Sequence, residues 1–292
     1  MPSPRLRFAP SPNGRLHLGH AYSALLNAGA ARALHGDLLL RIEDIDPVRC
    51  RPELADALVA DLAWLGLRFP EPVWRQSARM STYRAALDGL RARGLVYPCA
   101  CTRREILAAA GDARDPDGAP LYPGTCRGRP VPQEPHAVPH AVPHDTPHAW
   151  RLDMARALDA CPGPHNYTAF SPGGPDIVRA AEPARWGDAV LARKDVPTSY
   201  HLAVVLDDAA QGITHVVRGQ DLEAATDLHV LLQRLLGLPT PRYHHHGLIR
   251  DEAGDKLSKS LRSESLAALR ERGVSAAEVR ARLGFDPDEG RA

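Results

Sequence analysis

The chain has little lysine, almost no net charge and no long apolar run. Its 36 basic residues include only 3 lysines, and the formal net charge at pH 7 is +1. This near-zero charge excludes a global positive field that would recruit RNA, so an RNA-binding surface would need a local patch of arginine. No apolar run approaches the ~18 residues of a membrane span, and the start of the chain lacks a secretory signal, so we expect a cytoplasmic protein.

Cysteine is also scarce. The chain has five cysteines, and an odd number in a sequence of cytoplasmic character argues against a disulfide framework. Cys50 and Cys161 are most simply interpreted as isolated thiols. The overall composition, 44% hydrophobic and 24% charged, is that of an ordinary globular protein, and 292 residues suit one large domain or a large and a small one.

The most informative segment lies near the start of the chain. Residues 7–20 read RFAPSPNGRLHLGH, so that His17 and His20 stand three residues apart with Gly19 between them. A second segment, residues 256–260, reads KLSKS and holds two of the three lysines. Where arginine is used almost everywhere else, lysine at two positions of one loop indicates a need for a compact, mobile ammonium group.

These two segments resemble the paired ATP-binding signatures of class I aminoacyl-tRNA synthetases. Residues 7–11, together with residues 41–46, which read RIEDID, narrow the resemblance to the glutamyl and glutaminyl branch. The resemblance extends from about residue 5 to about residue 270 and contains both motifs in order, which makes it far more specific than a single pattern match.

The spacing of apolar residues favours an α/β protein. Strands are predicted at residues 6–8 and 37–43, and helices at residues 17–34, 52–65 and 81–93. Further strands are expected at 201–206, 213–217 and 243–249, with a helix at 221–236. This alternation is typical of a doubly wound parallel sheet, in which ligands bind beyond the carboxyl ends of the strands. The resemblance likewise implies the Rossmann-like catalytic core of a class I synthetase.

We expect four segments within this architecture. Residues 1–96 and 196–262 would form the two halves of the catalytic core, residues 97–195 an inserted module, and residues 263–292 short C-terminal helices. The module contains a four-residue Pro-His repeat over 135–148, for which a flexible linker at 130–149 is the simpler interpretation and metal binding the alternative. Full-length glutamyl-tRNA synthetases continue into an anticodon-binding domain of ~100 residues or more, and we expect none here.

The signature segments offer groups suited to nucleotidyl transfer, in which a carboxylate attacks the α-phosphorus of ATP and pyrophosphate leaves. A protein accelerates such a step mainly by positioning and by stabilising charge. Histidines at the start of a helix can face the triphosphate, and glycine lets an adenine approach the backbone. The predicted catalytic residues are His17, His20 and Lys259. The predicted ATP-binding residues are Pro10, His17, Gly19, His20, Lys256, Ser258 and Lys259, with Mg2+ accompanying ATP.

The resemblance also implies a pocket for L-glutamate. In it Arg7 would contact the substrate, Glu43 would hold its α-ammonium group, and Tyr200 and Arg218 match two further contact positions. Arginine suits an acidic ligand because its guanidinium pairs with a carboxylate through two parallel hydrogen bonds. The alternative for Arg218 is a structural salt bridge with Asp221. The full predicted glutamate-binding set is Arg7, Phe8, Ala9, Pro10, Ser11, Glu43, Tyr200 and Arg218.

Three cysteines of the inserted module indicate one structural zinc site. Cys99, Cys101 and Cys126 supply thiolates, which structural Zn2+ prefers, although the Cys-x-Cys spacing is tighter than the usual Cys-x-x-Cys. The resemblance offers Tyr122 as the fourth ligand. A histidine of the Pro-His repeat is the alternative donor, and three buried free cysteines are the alternative to any metal. A zinc ion there would brace the module that contacts the tRNA.

The glutamate-type core, the cysteine module and the short C-terminus together resemble the glutamyl-queuosine tRNA(Asp) synthetases. The resemblance implies a ligase that activates glutamate with ATP and Mg2+ without tRNA, and then transfers the glutamyl group to queuosine in the anticodon of tRNA(Asp). One alternative is a minimal glutamyl-tRNA synthetase that charges a tRNA 3′ end. Another is a non-catalytic RNA-binding relic, although a relic would be expected to lose the ATP motifs. We expect a monomer.

Lys259→Ala tests the predicted role of the KLSKS loop. We expect the variant to lose glutamate-dependent exchange between pyrophosphate and ATP, because a cation that stabilises the charge developing on the phosphates is removed. The fold should stay intact, as circular dichroism would report. Unchanged exchange would remove Lys259 from the mechanism.

Overall fold

The computed structural model describes residues 3–129, 147–249 and 264–287. Its first sheet is parallel, with the order β1–β2–β3, and consists of β1 (Arg5–Phe8), β2 (Asp37–Ile42) and β3 (Trp74–Arg75). Helix α1 (Leu18–Ala33) connects β1 to β2, and α2 (Pro52–Trp64) precedes β3. The predicted strand–helix–strand unit at the start of the chain is therefore confirmed.

A second sheet continues the first. Its order is β7–β6–β10–β9, formed by β6 (Asn166–Ala169), β7 (Ile177–Ala180), β9 (His215–Gly219) and β10 (Arg242–His246), and only the β6–β7 pair is antiparallel. The sheets meet beside β1, where the Thr214 N–H donates to the Arg5 carbonyl at 2.9 Å and the Arg5 N–H donates to Thr214 Oγ1 at 2.8 Å. This arrangement confirms a doubly wound, mostly parallel core.

A third, antiparallel sheet has the order β4–β5–β8, formed by β4 (Val96–Cys99), β5 (Ala149–Leu152) and β8 (Val190–Ala192). Helices α4 (Arg103–Ala110) and α5 (Met154–Ala160) follow β4 and β5. The predicted inserted module thus supplies this sheet, and it also sends β6 and β7 into the core sheet. The four predicted segment boundaries stay a prediction.

The second half of the core contains one wrong prediction. Residues 201–206, predicted as a strand, lie in helix α6 (Tyr200–Ala210), which begins at an N-cap where Ser199 Oγ accepts from the Leu202 N–H. Consecutive residues of α6 are buried, and a short apolar run of this kind looks the same in a buried helix and a buried strand. The other helices are α3 (Met80–Ala92), α7 (Ala225–Leu236), α8 (Leu266–Glu271) and α9 (Ala276–Arg282), the last two being the expected short C-terminal helices.

Two apolar clusters make up most of the core. One packs α1 and α2 against β1 and β2, and it includes Leu25, Leu40, Ile42 and Leu58. The other joins α6 and α7 to the antiparallel sheet through Leu152, Leu191, Leu202 and Leu231. Among the described helices, none has both the length and the apolar character required to cross a membrane.

A buried charge network fastens α6 to the first sheet. The guanidinium of Arg41 on β2 is fully buried and donates to the Asp208 carboxylate at 2.7 Å, to Gln211 Oε1 at 2.9 Å and to Glu43 Oε1 at 3.1 Å. Arg7 on β1 donates to the same Asp208 carboxylate at 3.1 Å. Burial alone would raise the pKa of the Asp208 carboxyl, but Arg7 and Arg41 outweigh it and hold that pKa below its usual value.

Arg41→Met tests the structural weight of this network. We expect the free energy of unfolding to fall by about 3–5 kcal/mol, because buried Glu43 loses its Arg41 partner and buried Asp208 keeps only Arg7. Urea unfolding is the measurement. Asp88→Asn is the control, since it breaks the half-exposed Asp88–Arg91 pair and should cost about 0.5 kcal/mol or less. Equal losses in both variants would contradict the assignment.

Candidate active site

A cavity of about 390 Å³ opens where β1, β2, β9 and β10 end. It is lined by every predicted ATP- and glutamate-binding residue that the structure describes: Arg7, Phe8, Ala9, Pro10, Ser11, His17, Gly19, His20, Glu43, Tyr200 and Arg218. The remaining predicted residues, Lys256, Ser258 and Lys259, lie outside the described residues. Segments far apart in the sequence thus meet at the edge where a parallel sheet binds ligands.

The two motif histidines are held by the first turn of α1. His17 is the N-cap residue, and its Nδ1 accepts from the Gly19 N–H at 3.1 Å, while His20 Nδ1 accepts from the His17 N–H at 3.3 Å. The ring centroids are 3.9 Å apart. A Cβ atom at residue 19 would lie 3.0 Å from His17 Cε1, so a larger residue there would push the His17 ring away from its present position.

The C-terminal segment packs against the same motif. Ser265 forms an antiparallel bridge with His17, and the Leu266 N–H donates to the Leu16 carbonyl at 2.8 Å. Residues that follow the KLSKS loop in the sequence are therefore fixed beside the first histidine.

The loop after β1 and the end of β2 form the opposite wall. The Glu43 N–H donates to the Pro10 carbonyl at 3.0 Å, and Ser11 Oγ donates to the Glu43 carbonyl at 2.8 Å. Burial raises the pKa of the Glu43 carboxyl above its ordinary value, although Arg41 and Arg7 oppose the shift. These contacts give the wall a carboxylate that is held between arginines.

Arg218, at the end of β9, is buried and is surrounded by neutral acceptors. Its guanidinium donates at 2.9–3.4 Å to four side chains, which we call the neutral cage: Tyr200, Thr226, His229 and His245. Among the described residues, no carboxylate oxygen lies within 4.0 Å of this guanidinium, so the alternative salt bridge with Asp221 is not formed. The cavity wall therefore contains a buried positive charge, Arg218, that no carboxylate of the described residues compensates.

Histidines behind Arg218 are shifted toward the neutral form. Burial, with the Arg218 charge as a smaller cause, lowers the pKa of His245 to about 3 and that of His201 to about 4, and lowers that of His229 well below its ordinary value. Each of these imidazoles is uncharged near pH 7, so the cage adds no positive charge of its own.

A larger cavity of about 730 Å³ adjoins the first and shares Ser11, Glu43 and Tyr200 with it. Its far side is lined by residues of the predicted inserted module, among them Arg103, Ile106, Tyr122 and Arg151. The two cavities thus have a common wall at the predicted glutamate-binding residues.

The three module cysteines converge as predicted. The Sγ atoms of Cys99, Cys101 and Cys126 lie within 4.8 Å of one another and could hold a metal ion. The Tyr122 hydroxyl oxygen lies 3.3 Å from Cys99 Sγ and 3.8 Å from Cys101 Sγ, and it accepts from the Cys126 N–H at 2.8 Å. Three sulfurs and one phenol oxygen therefore surround a single point, a donor set suited to a structural divalent ion that binds thiolates.

The alternative histidine donor receives no support from the described residues. His136, His140 and His144 of the Pro-His repeat lie outside them, and His148 packs edge-on against the Trp150 ring with centroids 5.1 Å apart.

Sequence reasoning missed several residues of the site. Arg41 lies in the RIEDID segment, two residues before Glu43, and this spacing could have indicated that the two side chains interact. Asp208 was hidden because its helix was predicted as a strand. Thr226 and His229 carry no local signal, since their role depends on how α7 packs against β9.

The family model for the catalytic domain of class I tRNA synthetases (E and Q) matches residues 4–128 and 176–289. A protein of Rhodobacter capsulatus named Glutamyl-Q tRNA(Asp) synthetase is 48% identical, over 96% of this chain and 99% of its own length. The chain belongs to the glutamyl-Q tRNA(Asp) synthetase family. Another member, from Nitratidesulfovibrio vulgaris, is 40% identical over 97% of this chain and 87% of its own length.

Solved structures agree with this family membership. A glutamate tRNA ligase from Elizabethkingia meningosepticum, in complex with its amino acid, superposes with a TM-score of 0.65 and 25% identity over 93% of this chain and 53% of its own. The chain therefore spans about half the length of that ligase. A methionyl-tRNA synthetase of Mycobacterium tuberculosis shares the fold alone, with a TM-score of 0.56, 13% identity, and coverage of 97% of this chain and 64% of its own.

The low pKa of His245 predicts a loss of stability in acid. An unfolded histidine binds a proton below pH ~6.5, whereas folded His245 stays neutral down to about pH 3, so stability rises with pH across this window. We expect His245→Gln to flatten the dependence of unfolding free energy on pH, by up to ~1.4 kcal/mol per pH unit between pH 5 and 6.5. Urea unfolding at several pH values measures this slope.

The exposed His35 provides the control for this experiment. His35→Asn should keep the wild-type slope, because a substitution at this exposed position leaves buried His245 and its surroundings in place. An unaltered slope in His245→Gln would contradict the assignment.

Proposed function

We propose that this protein activates L-glutamate with ATP and Mg2+ to form glutamyl-adenylate, and then transfers the glutamyl group to queuosine in the anticodon of tRNA(Asp). The observation that carries the glutamate assignment is the Arg218 guanidinium at the cavity wall, which no carboxylate of the described residues compensates. A buried charge without a counter-ion is costly, and a substrate carboxylate is the natural partner for it.

Tyr200 adds a second donor for the same carboxylate. Its hydroxyl oxygen accepts from Arg218 Nη1 at 3.2 Å, which leaves the Tyr200 O–H proton available to donate. Burial raises the pKa of this phenol, so it keeps its proton. Arg218 and Tyr200 therefore offer only donors to the substrate side chain. A carboxylate satisfies them, whereas the NH2 group of a glutamine side chain does not.

The opposite wall suits the other end of an amino acid. Glu43 presents a buried carboxyl group for the α-ammonium group; burial raises its pKa, and the charges of Arg41 and Arg7 oppose that shift. With both ends bound, the α-carboxylate of the substrate would face the α1 N-terminus. One of its oxygens attacks the α-phosphorus of ATP, an O–P bond forms, and the bond to the leaving pyrophosphate breaks.

The motif at the start of α1 suits the phosphates. The N-terminus of α1 favours anions, and His17 and His20 stand at that terminus with their rings fixed by backbone donors. Lys259, which lies outside the described residues, would add a positive charge beside the departing pyrophosphate. Mg2+, when bound with ATP, neutralises phosphate charge as the transition state forms.

The module supports the RNA side of the proposal. Cys99, Cys101, Cys126 and Tyr122 would hold a structural Zn2+, which would brace the wall of the larger cavity through Tyr122. Arg103 and Arg151 on this wall would contact RNA phosphates, beside the carboxylates of Asp115, Asp117 and Asp188 that line the same cavity. The choice of queuosine as acceptor rests on the names of the relatives, which are similar over almost their whole length.

The acceptor is tested with labelled glutamate and four RNAs: tRNA(Asp) with and without queuosine, the queuosine-containing tRNA trimmed of its 3′-terminal adenosine, and an isolated queuosine-containing anticodon stem-loop. We expect label on every RNA that carries queuosine and none on the RNA that lacks it. Label that ignores queuosine and disappears with the terminal adenosine would instead identify a small glutamyl-tRNA synthetase.

Arg218→Gln tests the glutamate assignment. We expect kcat/KM for glutamate in the pyrophosphate exchange assay to fall at least ~100-fold, about 3 kcal/mol, because a buried charge-assisted pair is lost. Glutamine should be affected much less. Arg242→Gln, which breaks the half-exposed pair of Arg242 with Asp176 at the start of β10, is the matched control and should leave kcat/KM unchanged. A similar loss in both variants would argue against a specific role.

A further inference from the structure

We infer that the neutral cage is a selectivity device: by offering Arg218 only uncharged acceptors, it keeps the guanidinium charge available for a substrate carboxylate. The inference rests on the proposed function, since it takes the ligand of Arg218 to be glutamate. It adds Thr226 and His229 as positioning residues that act through Arg218 and set the preference for a carboxylate over a carboxamide.

The contrast between the buried arginines around the cavity supports this inference. Arg7 and Arg41 both donate to the Asp208 carboxylate, and Arg41 also donates to Glu43. Arg218 is equally buried, yet its four side-chain partners are a phenol, a hydroxyl and two imidazoles. The ring of Tyr243 lies beneath it, with the guanidinium carbon 5.2 Å from the ring centroid, and adds a neutral contact.

The hydrogen-bond directions require a neutral His229. Arginine is only a donor, so His229 Nδ1, 3.2 Å from Arg218 Nη1, must accept and carries no proton. The proton of a neutral His229 therefore sits on Nε2, which donates to His201 Nδ1 at 3.2 Å. The low pKa of both imidazoles agrees with this arrangement.

Two cage residues lie on the same face of α7. Thr226 and His229 are one helical turn apart, and both side chains meet the Arg218 guanidinium, at 2.9 and 3.2 Å. A carboxylate at either position would pair with Arg218 as Asp208 pairs with Arg7. The guanidinium would then be compensated before the substrate arrives, and the gain from binding a second carboxylate would be small.

The test compares charged and neutral replacements in the full chain. His229→Glu is expected to raise the KM for glutamate at least ~10-fold, to leave the KM for ATP within about twofold, and to lower the preference for glutamate over glutamine. His229→Gln retains an acceptor without charge and should keep that preference. The readouts are pyrophosphate exchange, glutamate binding by calorimetry and thermal unfolding.

Thr226→Asp and Thr226→Ser repeat the comparison at the second position, which keeps the test decisive where His229→Glu fails to fold. The inference would be overturned if the charged and neutral variants were folded and had equal KM values for glutamate. It would also be overturned if all the variants lost exchange activity equally. A wild-type protein that binds glutamate but shows no exchange would overturn the proposed function and not the cage. A wild-type protein that does not bind glutamate would overturn both.

Discussion

The full burial of the Arg41 guanidinium is the constraint on which the site depends. Removing this charge from water is costly, so Asp208 and Gln211 reach it from α6, and Glu43 from the segment that follows β2. Meeting that requirement fixes the position of α6 against β2. Because Tyr200 begins the same helix, the wall of the glutamate cavity is fixed at the same time. The side chains that bind Arg41 therefore both stabilise the fold and position the cavity wall.

Positive charge has two different uses within a short distance. Asp208 compensates Arg7 and Arg41, so that these arginines tie elements together and tune Glu43. Among the described residues, Arg218 contacts only neutral hydrogen-bond acceptors, which is the basis for proposing it as the partner of a substrate carboxylate. The difference lies in the residues that contact each guanidinium. Arg7 and Arg41 contact carboxylates, whereas the neutral cage surrounds Arg218.

The sequence allowed the parallel core, the cysteine cluster and the cavity-lining residues to be predicted, because short motifs with specific chemistry mark each of them. The histidine motif and Glu43 follow predicted strands, and strand ends meet at one edge of a parallel sheet. The helical state of residues 201–206 was not predicted, because consecutive residues of α6 are buried and a short apolar run looks the same in a buried helix and a buried strand. Thr226 and His229 were missed for a related reason, since only tertiary packing brings α7 to Arg218.

The wall shared by the two cavities has a chemical consequence. A glutamyl group activated beside Ser11, Glu43 and Tyr200 is made at the border of the larger cavity, so the intermediate need not be carried to a second site. Because the two cavities share this wall, the activated acyl carbon is exposed to any molecule in the larger cavity. Without an acceptor, solvent can reach that carbon, and hydrolysis would compete with transfer. An activation step that does not wait for RNA would thus proceed at the risk of wasted ATP, and how tightly the larger cavity closes determines the loss.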